Sequence, residues 1–146
     1  MRLKRGIYMG ERVKKASESF GNGLNCAQSV FSAFCDRYGV SEETAVKIAC
    51  GLGSGARSAE LCGAVSGAVL VIGLKHGESK EICNQKTEEF MKAFKDANND
   101  IVCRNLLGCD IATPSGREKA VSDNLFKTKC LDLVKSAAAI LEELGY

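Results

Sequence analysis

Tryptophan is absent from this chain, and histidine and proline occur once each, as His76 and Pro114. A lone histidine cannot build a multi-histidine metal site. It also closes a helix that Cys62 opens, too far away for a Cys–His nucleophilic pair. Aromatic residues make up only 6% of the chain, which provides no base-stacking platform. The net charge of +2 is small, and its Lys and Arg are dispersed, so no nucleic-acid face is expected. Long hydrophobic runs are missing too. The longest, Ala64 to Leu74, is broken by Ser66, Gly67 and Gly73 and falls well short of the roughly 20 apolar residues that span a bilayer. Membrane insertion is therefore not expected. The opening MRLKRGIYMGERVKK is basic but lacks the apolar core of a signal peptide, so a cytoplasmic location is the expectation. There is no CxxC pair and no His-x-x-x-His, so zinc-finger and thioredoxin signals are lacking. Gly51, Gly53 and Gly55 have no preceding strand and no GK[ST] or complete GxGxxG, which argues against a nucleotide cradle.

Cysteine is what the chain has in excess: eight among 146 residues. In a reducing cytoplasm such thiols read as metal-binding, catalytic or redox groups rather than as a disulfide framework. Their spread along the chain also differs from the dense spacing of a small secreted scaffold. At 45% hydrophobic and 26% charged residues, the composition is that of one globular domain, residues 1–146.

Helical periodicity runs throughout, and no segment alternates as a strand. Residues 9–20 place Val13, Ala16 and Phe20 on one face and end at Gly21-Asn22-Gly23. Asn25 is a good N-cap for a helix whose stripe is Ala27, Val30, Phe31, Phe34 and Tyr38. Ser41 caps SEETAVKIAC. After the glycine-rich loop 51–57, a helix from about Cys62 to Lys75 is apolar nearly all round and so is expected at the centre. Residues 79–98 turn Cys83, Thr87, Phe90, Met91 and Phe94 inward, and the last helix, about 127–144, carries Cys130, Val134, Ala137, Leu141 and Leu144. The polar stretch 110–124 reads as a mobile lid or a long surface loop. The expected fold is an all-α, single-domain bundle of five or six helices.

Cys26, Cys62 and Cys130 all fall near helix N-termini, where unpaired N–H groups favour a thiolate, and Cys103 sits at a short helical turn. Antiparallel helices can gather such ends, so four thiols from distant positions are expected at one site. Gly53 and Gly55 in the loop, with Gly63 and Gly67 after Cys62, open room for a bound cofactor or for neighbouring backbone. Cys35, Cys50 and Cys83 lie on or at the end of apolar helical stripes and read as small buried hydrophobes. Cys109 follows Cys103 by six residues and reads as a pairing partner or a spare ligand. The N–H groups of the glycine-rich loop can donate to a thiolate or sulfide, and Arg57 reads as a solvated side chain, with a helping role in that stabilisation as the alternative.

Asn25-Cys26-Ala27, Gly51-Leu52-Gly53-Ser54-Gly55, Cys62-Gly63-Ala64-Val65-Ser66-Gly67, Cys103 before Leu106-Leu107-Gly108, and Cys130 occur in that order. This arrangement, from about residue 11 to 144, resembles the C-GCAxxG-C-C family, whose redox label is itself inferred from its cysteines. The resemblance implies four hallmark positions, Cys26, Cys62, Cys103 and Cys130. It also implies genes that neighbour transporter genes, and it assigns no substrate. Two versions of redox chemistry follow: an iron–sulfur cluster passing electrons, or a reversible disulfide exchanged with a redox partner. The alternative is a non-catalytic zinc-binding module or a transporter-associated adaptor. A homodimer is a plausible assembly for so small a bundle.

Overall fold

The computed structural model describes residues 10–146. Of the basic opening, residues 1–15, on which the targeting expectation rests, the first nine lie outside the described residues. The described residues form eight α-helices: α1 (Glu11–Gly21), α2 (Cys26–Phe34), α3 (Glu42–Ala49), α4 (Gly63–His76), α5 (Lys80–Asn98), α6 (Cys103–Leu107), α7 (Pro114–Ser122) and α8 (Lys129–Glu143). Their starts follow from local chemistry. The Asn25 side chain accepts from the Gln28 N–H at 2.9 Å, and the Gln28 side chain accepts from the Asn25 N–H at 2.9 Å. This reciprocal capping box satisfies two otherwise orphaned donors at the start of α2. Ser41 and Ser79 cap α3 and α5 in the simpler one-way form.

The count exceeds the expected five or six because of α6 and α7. The segment read as a lid or loop contains the nine-residue α7. Its start is conventional: Thr113 accepts from the Gly116 N–H at 3.0 Å, and Pro114 occupies the first helical position, where a missing N–H costs nothing. Only Ala120 is buried, so α7 has no apolar stripe for periodicity to reveal.

Helices α2 and α4 form the centre. Every residue of α2 from Ala27 to Phe34 is buried. Their approach depends on Gly67: a Cβ there would lie 2.6 Å from the Ala27 carbonyl oxygen and 3.1 Å from its Cα. Around them Phe31, Phe34, Ile72, Phe90, Phe94 and Leu141 build the main core with α1, α5 and α8. A smaller core gathers Ala59, Cys103, Leu107, Ile111, Ala120 and Cys130. Phe20 and Cys26 pack against both. The hallmark cysteines therefore lie along the seam between the two cores.

Among the described residues the only β-type pairing is one isolated bridge, Leu61 to Val102. The Cys62 N–H donates to the Ile101 carbonyl at 2.8 Å, and the Cys103 N–H donates to the Glu60 carbonyl at 2.5 Å. These bonds tie the two thiol-bearing segments together. No described helix is long and apolar enough to cross a membrane.

Candidate functional site

Cys26 is the first residue of α2, Cys62 is the N-cap of α4, Cys103 begins α6, and Cys130 is the second residue of α8. Cys26 and Cys130 line one cavity, and each is the first influence on the other's titration. Cys62 and Cys103 stand near enough for charge on them to be felt at Cys26. All eight cysteines are free thiols.

The four environments differ. Cys130 is shifted down, first because the Cys26 thiol donates to its sulfur and then because Lys129 is adjacent. Cys26 is shifted well up, since it gives its proton to that bond and is also desolvated. The first proton lost from the pair therefore comes from Cys130, where the N-terminus of α8 also favours the negative charge. Cys26 and Cys62 depart from the expectation that a helix start favours a thiolate. The amides of Ala64 and Val65 pull Cys62 down, but burial outweighs them and pushes it up to about 11. Cys62 is only 4% exposed, and desolvation of a sulfur anion there exceeds what two amides return. Burial, followed by the neighbouring thiols, takes Cys103 up to about 12.

This has a consequence for stability. The folded state holds the Cys62 proton to about 11, whereas the ordinary thiol value is 9.0. A raised folded pKa means that its contribution is complete below about pH 9 and is lost as pH climbs towards about 11. Denaturant unfolding over a pH series is expected to show a fall of about 2–3 kcal/mol across that window from Cys62. Cys62→Ala should lack that part of the slope.

The glycines divide into two groups. Gly55 and Gly63 line a cavity of about 190 Å³ that also exposes Cys26 and Cys130, with Phe20, Asn25, Ser54, Ile111, Arg117 and Phe126. A Cβ at Gly63 would lie 3.1 Å from Cys26 Cβ, and one at Gly55 would lie 3.1 Å from Cys103 Cβ. Gly53 and Gly67 are instead covered by protein, the first by the Asn25 side chain and the second by Ala27.

Sequence reasoning missed the shape of the glycine-rich loop. Ser54, Gly55, Ala56 and Arg57 have consecutive positive φ values of 55°, 62°, 55° and 61°, and Ala59 follows at 55°. For residues with a Cβ this left-handed backbone costs roughly 1–2 kcal/mol each. Tertiary bonds hold it: Arg117 donates to Ser54 Oγ at 2.9 Å, and Arg104 donates to the Ala59 carbonyl at 3.2 Å and to Glu60 at 2.6 Å. Ala56 is exposed, so Ala56→Gly relieves the strain without removing a contact. A gain of about 1 kcal/mol in thermal or denaturant unfolding is expected.

The remaining cysteines stand apart from this pair. Cys35 is buried and points at the Ser32 carbonyl, 3.5 Å away, as a core residue would. Cys83 packs against the main core and Cys109 against the smaller one. Cys50 is exposed, against expectation: α3 ends at Ala49, and Cys50 begins a 3-10 turn instead of continuing the helix. His76 lies at the opposite end of α4 from Cys62, edge-on to Tyr146 at 5.7 Å.

A zinc or iron–sulfur site needs several thiolates converging on bonds of about 2.3 Å. Among the described residues, no three His, Cys, Asp or Glu side chains stand at metal-holding spacing. As the donors are arranged here, they do not fit either group.

Fold and site together define an all-helical, cysteine-rich protein with thiols gathered between two cores. The chain matches the family described as "Putative redox-active protein (C_GCAxxG_C_C)" over residues 24–144, and it belongs to that family. No curated protein and no solved structure matches it.

Proposed function

We propose that the chain performs thiol–disulfide exchange, with Cys130 as the attacking thiolate and Cys26 as the resolving thiol. The supporting observation is that Cys26 and Cys130 line one cavity, where each is the leading influence on the other's titration. Cys130 attacks one sulfur of a substrate disulfide. A Cys130–substrate bond forms, the substrate S–S bond breaks, and the departing thiolate takes up a proton. With Cys130 no longer anionic, Cys26 loses its proton to solvent and attacks the Cys130 sulfur. The second substrate thiolate leaves, and a Cys26–Cys130 disulfide remains. The substrate gains two electrons and the pair loses two. An external dithiol reductant returns the pair to its starting state.

Cys62 and Cys103 hold their protons at neutral pH and form the apolar backing of the pair. The expected anaerobic preparation is colourless, and its exchange activity survives chelator treatment and desalting. A brown protein, or zinc held at one equivalent with activity lost on its removal, would overturn the dithiol assignment in favour of a metal site.

A further inference from the structure

The cavity at the thiol pair does not end there. Ile111 and Arg117 also line an adjoining cleft of about 340 Å³, completed by Arg57, Ala112, Thr113 and Pro114. Cavity and cleft share a wall and have the dimensions of a small-ligand site.

The charges in this cleft are out of balance. Arg57 donates to Ser54 Oγ at 3.3 Å, and Arg117 donates to the same oxygen at 2.9 Å. Neither guanidinium forms an ion pair with a carboxylate among the described residues, although five other Lys and two other Arg do. A neutral hydroxyl accepts both bonds but cannot offset two positive charges. The arrangement is also held deliberately: Ser54 and Arg57 both sit in left-handed backbone, and strain of this kind collects at binding sites. Arg117 is fixed further by the Phe126 ring, 5.4 Å from its guanidinium carbon. The first turn of the nine-residue α7 borders the same cleft and adds positive potential.

We infer that Arg57 and Arg117 bind the carboxylate of a small disulfide and so present its sulfur to Cys130. This rests on the dithiol reading above and specifies its substrate class: a low-molecular-weight disulfide carrying a carboxylate a few bonds from sulfur. The guanidiniums are positioning and recognition groups. The bonds made and broken are those of the exchange already described.

Three disulfides of similar size test it on the reduced full-length protein: dithiodipropionate (anionic), hydroxyethyl disulfide (neutral) and cystamine (cationic). Each rate is divided by the rate of the same disulfide with free cysteine, which removes intrinsic reactivity. The anionic probe is expected to be favoured over the neutral one by about tenfold or more, in proportion to one charge-assisted contact, and cystamine to be disfavoured. The advantage should shrink with added salt. In Arg57→Gln and in Arg117→Gln the anionic-to-neutral ratio should fall towards one, whereas Arg57→Lys retains part of it. Thermal melts identify any variant that has not folded, and exposed Arg57 provides the safer substitution. Equal normalised rates for all three probes, or Gln variants that slow all three alike, would overturn the inference. If no probe oxidises the pair, the dithiol reading itself has failed. Calorimetry with mercaptopropionate then decides the cleft alone: binding lost in the double Gln variant upholds the anion site, and no binding by the wild type overturns it.

Discussion

Replacing Cys130 with serine is expected to reduce disulfide exchange by about a thousandfold or more, the scale seen when a covalent nucleophile is removed. The hydroxyl at that position is not ionised at neutral pH, so no anion remains to attack sulfur. Cys26→Ser should behave differently. Its first step persists, but the resolving thiol is gone, and a mixed disulfide at Cys130 should accumulate, visible as the added mass of half the probe. In Cys26→Ala, which also removes the donor, attack should in addition slow at neutral pH, because the Cys26 thiol is the principal cause of the lowered Cys130 pKa. Cys50→Ser is the control: Cys50 is exposed and lines neither the cavity nor the cleft. If Cys130→Ser kept wild-type exchange, or if Cys26→Ser released both halves of the substrate normally, the assignment of roles would be wrong.

Gly67→Ala is expected to destabilise the fold by about 3 kcal/mol, at the upper end for overpacking. The added methyl group would meet the Ala27 carbonyl oxygen at 2.6 Å, Ala27 Cα at 3.1 Å and Val30 Cβ at 3.1 Å. Two of those atoms are backbone in the buried stretch Ala27–Phe34 of α2, so no flexible side chain can swing aside. For a chain of this length the loss corresponds to a fall in Tm of roughly 10 °C. Gly73→Ala, on the same helix, meets nothing within 4 Å and is expected to be neutral or stabilising by up to about 1 kcal/mol. The contrast separates close helix approach from helix propensity. Because α2 carries Cys26 and α4 follows directly from Cys62, Gly67→Ala should also disturb the thiol cluster that those helix starts position.

Much of the helical frame can be read directly from residues. The Asn25 and Ser41 caps and the all-round apolar α4 are local signals, and tertiary structure agrees with them. Helix α7 was hidden because it buries only Ala120 and so has no stripe. The left-handed loop was hidden for a stronger reason. Ser54, Ala56 and Arg57 disfavour positive φ, and Arg117, which pins Ser54, lies 63 positions away in sequence. At Cys62 the helix start was legible, but the overlying protein was not, and the desolvation it causes reverses the expected direction of the shift. Four cysteines could be marked as a set from their order. That Cys26 and Cys130 make the intimate pair depends on how α2 and α8 meet, which no local spacing encodes. Arg57, read as a solvated side chain, is exposed; what the sequence could not reveal is that it shares Ser54 Oγ with an arginine on α7.

The most direct measurement is disulfide mapping. Fully reduced protein is oxidised with one equivalent of diamide, the remaining thiols are alkylated in acid, and the peptides are identified by mass spectrometry. A Cys26–Cys130 disulfide, with the other six of the eight cysteines alkylated, is the expected result. A dominant bridge between Cys62 and Cys103, or oxidation that leaves Cys26 and Cys130 both free, would contradict it.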